Sequence, residues 1–169
     1  MNEPNSQNRP RLRGCWNALK HLSYGVYIVS ARRGETENPE VNAMTVRFLS
    51  QVSSRPPRVA FSISKTRLTH DFIRESGTFA VSVLSEGQEL LAGHFGLRSG
   101  RAADKLLQVE YSLGAQTGAP ILNECSAWFE CRVEAIHDMG ACSLIVGEVL
   151  AGGTHEHEAL IYRESDYFG

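Results

Sequence analysis

The sequence predicts a mainly β protein: an antiparallel barrel, closed or partly closed, with a few short helices. Three observations predict it. Val59, Phe61 and Ile63 alternate with Ala60, Ser62 and Ser64, the two-residue period of a strand with one buried face. Short runs rich in β-branched and aromatic residues recur along the chain, separated by Gly, Pro and polar turns. Between them only short helical patterns occur.

In chain order, residues 17–22 read as a short helix and residues 24–31 as a strand. Residues 41–49 read as a second strand with Met44, Val46 and Phe48 on one face, joined to the first by the polar turn 34–39 as a hairpin. Ser50 to Pro57 reads as a loop leading into the alternating strand. Thr69 is placed to cap a short helix over residues 69–75. Phe79, Val81 and Val83 mark the next strand. Ser85 with Gln88 has the spacing of a capping box ahead of Leu90 and Leu91, with Gly96 as a stop. Residues 97–118 are polar and without period, an excursion of the length that often carries function. Phe129, Cys131 and Val133, then residues 143–150, then 160–162, supply the remaining strands.

At 169 residues the chain fits one domain, and 42% hydrophobic with 21% charged residues is enough for a core without disulfides or metal. A net charge of -2 gives nucleic-acid binding no electrostatic support. Arg9, Arg11 and Arg13 lie in a polar stretch that reads as a solvated tail over 1–16, leaving a domain over 17–169. No apolar run is long enough to span a bilayer and no signal-peptide core is present, so a cytoplasmic protein is expected. Cys15, Cys125, Cys131 and Cys142 form no Cys-x-x-Cys pair, and no metal site is expected. His155 and His157, among Glu156 and Glu158, read as a solvated loop.

Two segments carry candidate chemistry. Ser64, Lys65, Thr66 and Thr69 follow a strand and open a helix, where free N–H groups, hydroxyls and cations suit a phosphate. Asp71 in the first turn competes for the same pole, and a capped turn with solvated charges would use the same residues. In the run Asn42-Ala43-Met44-Thr45, Asn42, Ala43 and Thr45 are small or polar where strands carry bulk, so a flat heterocycle can approach the backbone. Ser50, Gln51 and Val52 can read a ring edge in the same way. A sparsely packed strand face is the other account of these residues. Lys105 reads equally well as a ligand to an anion or as an exposed charge. His94 suits the end of a helix.

Together these motifs resemble the flavin reductase-like, FMN-binding split-barrel family over residues 19–169. Asn42 to Thr45 resembles its Asn-Ala-x-Thr strand, Ser50 to Ser53 with Pro56-Pro57 its ring-edge loop, and Ser64 to Thr69 its phosphate turn. Gly118 to Pro120, Ala127 to Cys131, Ile145 to Val149 and Leu160 to Tyr162 resemble its later strands, and Asp104-Lys105-Leu106 its Asp-Lys-Phe. The resemblance implies a Greek-key antiparallel barrel, a homodimer, FMN more than FAD, and NADH or NADPH as hydride donor to flavin N5. In such a site a backbone N–H or the Thr45 hydroxyl near N5 or O4 is expected to stabilise charge on the reduced flavin. Many members carry Gly-Asp-His where this chain has Gly140-Ala141-Cys142. Cys142 therefore takes the place of a histidine linked to nicotinamide handling, and His137 does not occupy that position. The segment 22–27 looks like the flavoredoxin and high-molecular-weight rubredoxin branch, whose members exchange electrons with redox protein partners. The leading expectation is an NAD(P)H-dependent flavin reductase. The alternatives are an FMN carrier reduced by a protein, a non-catalytic FMN-binding protein and, less fitting in motif order, a pyridoxal-phosphate-related oxidase. Tyr162, Tyr167 and Phe168 are candidates to wall the flavin or a subunit contact, or to serve packing alone.

Overall fold

The computed structural model describes residues 10–34 and 39–162. Tyr167 and Phe168 lie outside the described residues. Helix α1 runs Pro10–Leu19, so it begins inside the segment read as tail and ends short of Leu22. Pro10 has no N–H to leave unpaired, which suits the first helical position. The first expected strand is divided into β1 (Tyr24–Gly25) and β2 (Tyr27–Arg33). Val26 between them donates its N–H to the Leu160 carbonyl and accepts from Leu84 N, so its backbone bonds leave the ladder.

The other elements are β3 (Glu40–Val46), β4 (Leu49–Ser54), β5 (Pro57–Ser64), α2 (Leu68–Ser76), β6 (Thr78–Val83) and α3 (Glu89–Leu97). They continue as β7 (Tyr111–Leu113), β8 (Pro120–Leu122), β9 (Ala127–Met139), β10 (Cys142–Thr154) and β11 (Ile161–Tyr162). Seven strands form one antiparallel sheet in the order β3-β2-β6-β9-β10-β5-β4, with β1-β11 and β7-β8 as two-stranded ribbons. The β2–β3 hairpin forms as expected. Phe48 is 47% exposed and lies outside β3, which ends at Val46, so the strand expected over 41–49 is shorter. The loop expected over 50–53 is instead strand β4, paired with β5 around a turn at Arg55 and Pro56.

Side chains from every part of this sheet meet in one core. Val29 and Ala31 of β2, Val46 of β3, Phe61 and Ile63 of β5, Phe79 and Val81 of β6, Cys131 of β9 and Ile145 of β10 share it with Phe72 and Ile73 of α2. Residues from both ends of a sheet reach one cluster only if the sheet curls round it, which is the barrel. Cys131 packs in this core, and burial pushes its thiol up to about 12. A second core lies on the outer face, where Ile28 and Ala43 meet Ala92 and Phe95 of α3 together with Leu106 and Leu160. The expected capping box is half made. Gln88 Oε1 accepts the Ser85 N–H at 2.8 Å, but α3 begins after Gln88 and the buried Ser85 hydroxyl finds no partner. Helix α3 runs through Gly96 to Leu97, so Gly96 is not its stop.

Gly147 lies at a register shift in β10, and Phe79 packs over its Cα. A Cβ there would lie 2.6 Å from Phe79 Cζ. Gly147→Val is expected to cost about 1–3 kcal/mol by forcing the buried ring off its position. Urea denaturation checks this, and an unchanged midpoint would show that the ring yields freely.

Candidate functional site

The turn after β5 gathers the groups that an anion would need. The Ser64 and Thr66 hydroxyls converge at 3.0 Å. Helix α2 has Arg67 as N-cap with no side-chain cap, so its first-turn N–H groups have no side-chain acceptor. Thr69 is not the cap. It sits inside the first turn, buried, and its hydroxyl donates to Asn42 Oδ1 at 2.7 Å. Asp71 does compete for the helix pole by position, but its charge is paired with Arg101.

Lys105 settles the choice between ligand and exposed charge against exposure. It is 4% exposed, and its Nζ donates to the Phe95 carbonyl at 3.0 Å. Burial, and then the Arg67 charge, lower its pKa to about 8. Among the described residues neither Lys105 nor Arg67 forms an ion pair with a carboxylate. Two neighbouring cations beside an uncapped helix start are a site shaped for an anion. His94 Nε2 donates to the Lys105 carbonyl at 2.7 Å and so holds the excursion against the end of α3. That excursion is not featureless, since it also contains β7 and pairs with β8.

Strand β3 uses its small residues in a different way from the one expected. Ala43 is small because α3 packs on that face, where Thr45 Oγ1 donates to the Ala92 carbonyl at 2.6 Å and Gly96 lies against Thr45. Asn42 is buried and bonded to Thr69, and Met44 packs on the barrel core. The side chains are thus largely spoken for, and the Thr45 proton is not free for a ligand. The backbone is the exception. β3 ends the seven-stranded sheet, so alternate N–H and C=O groups point away from β2, and no other backbone bond among the described residues claims residues 41–46. The Thr69–Asn42 bond holds this edge beside the start of α2, which brings the two predicted segments together.

Ser50, Gln51 and Val52 lie on β4, at the opposite end of the sheet order. Ser50 pairs with Ala60 and Gln51 with Val59, four to five residues along β5 from Ser64, roughly 13–17 Å at the rise of a strand. Gln51 spends its amide on the Ser53 carbonyl. Cys142 starts β10, half-buried, directly opposite Ser64. The hairpin that carries it is tied to the turn, because Lys65 N donates to the Ala141 carbonyl at 3.1 Å and Lys65 Nζ pairs with Asp138 at 2.8 Å. Asp138 is held below the usual carboxylate range by Lys65 and the Gly140 N–H. Sequence reasoning points to the cations of this turn but does not reach Asp138, Ala141 and Arg101. They come from distant segments, and no local pattern marks them. His155 Nδ1 lies 2.7 Å from the Cys125 carbonyl, and no cluster of metal-binding side chains occurs among the described residues. The Tyr162 hydroxyl accepts from Arg47 at 2.6 Å, which gives that ring a packing role.

Residues 19–169 match the model of the flavin reductase like domain. The chain is 40% identical to the high molecular weight rubredoxin of Moorella thermoacetica over 78% of this chain, and it spans 56% of that protein's length. It is 34% identical to the NADH-dependent flavin reductase StyB of Pseudomonas fluorescens, covering 90% of this chain and 86% of that one. Among solved structures, the Streptomyces globisporus NADH:FAD oxidoreductase SgcE6, in complex with NAD and FAD fragments, superposes with a TM-score of 0.78 at 28% identity, covering 96% of this chain and 92% of that one.

Proposed function

The chain belongs to the flavin reductase-like family, and from that premise we propose that its site holds FMN, in preference to FAD, for reduction by NADH or NADPH. The observation that carries the placement is the cation couple Lys105 and Arg67, without a carboxylate partner among the described residues, at the uncapped start of α2. There the Ser64 and Thr66 hydroxyls, the Leu68 and Thr69 N–H groups and both cations hold the flavin phosphate. The free backbone edge of β3 at residues 42–45 hydrogen-bonds the rim of the ring, with its N–H groups as donors to a developing negative charge. Lys65, paired to Asp138, orients the hairpin that brings Cys142 to the site. When bound, the flavin supplies the two-electron acceptor at N5, and the protein supplies position and electrostatics. Among the described residues no helix is long and apolar enough to cross a membrane. A cytoplasmic homodimer is the setting we assign to this reaction.

A second reading draws on Cys142 and on the likeness to the Moorella rubredoxin: an FMN carrier reduced by a redox protein. Purified protein with FMN, mixed anaerobically with NADH or NADPH, separates the two. Prompt bleaching of the flavin band is the expected outcome. Cys142→His, which restores a protonatable group, is expected to speed it by about tenfold or more. A band that persists under both nucleotides would establish the carrier reading. No flavin uptake would remove both.

A further inference from the structure

Resting on the phosphate placement proposed above, we infer that Asp138 is a specificity-determining residue that restricts the site to a flavin mononucleotide and disfavours a dinucleotide. The turn that receives the phosphate opens outward into a cleft between α2 and the β9–β10 hairpin. The cleft has a volume of about 330 Å³ and is lined by Lys65, His70, Asp71, Arg74, Asp138 and Ser143. Its mouth beside the turn carries a carboxylate on each wall, Asp71 from the first turn of α2 and Asp138 from the hairpin.

Asp138 is fixed there. Its Oδ1 accepts from Gly140 N at 2.7 Å and from Lys65 Nζ at 2.8 Å. The hairpin cannot swing aside without breaking the Lys65 N–H bond to the Ala141 carbonyl and the Cys142–Ser64 pairing. The far wall is equally set, because His70 and Ser143, both buried, join α2 to β10 through Nε2 and Oγ at 3.0 Å.

A terminal phosphate needs only the turn and the Arg67–Lys105 side of the helix start. A second phosphate leaving by the cleft enters between the two carboxylates and must take Lys65 from Asp138. Opposite charge favours a ligand and like charge disfavours it at such range. The other cations give limited relief, because Arg101 is committed to Asp71 and only Arg74 lines the cleft without an ion-pair partner among the described residues.

The test is titration of the 169-residue protein with FMN and with FAD, followed by flavin fluorescence, for the wild type, Asp138→Asn and Asp138→Glu. Asp138 lies on an exposed hairpin, so both variants are expected to fold. The wild type is expected to bind FMN at least about tenfold more tightly than FAD, Asp138→Asn to reduce that ratio about tenfold, and Asp138→Glu to keep it. Because freeing Lys65 acts on both ligands, the ratio is the readout. FMN binding with a ratio that Asp138→Asn leaves unchanged, or equal affinity for both flavins in the wild type, overturns the selection and leaves the phosphate placement standing. Failure of the wild type to bind either flavin overturns both.

Discussion

Lys105→Met is expected to weaken FMN binding about 10- to 100-fold, the worth of one hydrogen bond to a charged group in a buried setting. The variant fills the same space with an apolar chain, and its principal loss in the free protein is the bond to the Phe95 carbonyl. The pH dependence carries the sharper signature. In the free protein the ammonium loses its proton as pH rises through about 8. A bound phosphate favours the charged form and raises that value. FMN affinity is therefore full below about 8 and declines above it, until the value of the complex is passed. Lys105→Met is expected to abolish this decline. Stability of the free protein should run the other way. The folded value lies below the ordinary 10.5, so the unfolded chain binds more protons between about 8 and 10.5, and stability rises with pH across that window. Isothermal titration of FMN at several pH values measures the first effect. An affinity that is the same for wild type and variant would remove Lys105 from the phosphate site.

The second large effect is structural. Glu130→Ala is expected to cost roughly 3 kcal/mol or more, because buried donors then lose their acceptor. Glu130 on β9 is 1% exposed, and one of its oxygens accepts from the Gln116 and Thr117 N–H groups and from the Thr117 hydroxyl. Gly114 completes the arrangement, since a Cβ there would collide with the same carboxyl group. Glu130→Gln keeps an oxygen for these donors and is expected to cost less than half as much. Thermal and urea unfolding of the two variants measures this, and equal losses would mean that shape, not the acceptor, holds residues 114–118 in place.

These two residues also show where reading the chain stops. Glu130 occupies a strand whose neighbours alternate in the ordinary way, and nothing local announces that a loop more than ten residues earlier in the chain folds over it. Lys105 lies in a stretch without period, so its burial follows from α3 and the excursion closing on each other. The strand pattern was a different matter. Val59, Phe61 and Ile63 are buried in alternation as expected, because side-chain direction in a strand is a property of the local backbone.

The β3 segment divides between the two. Its small residues were visible in the sequence, but that they admit α3 rather than a ring is decided by packing, with Gly96 against Thr45 and Ala92 taking the Thr45 proton. Thr69 shows the same limit, for a threonine near a helix start caps it in one register and turns inward in the next, and here Asn42 draws it inward. By itself the sequence determined the β class, the alternating strands, the absence of a Cys-x-x-Cys pair and the family, because these rest on local period, composition and motif order. Packing alone sets that the sheet curls into one core, that β3 offers its edge, that Lys105 is buried beside Arg67, and that Asp138 stands beside the turn after β5. Each of these is a meeting of groups far apart in the chain, and such meetings are set by the closure of the sheet and the packing of the helices against it.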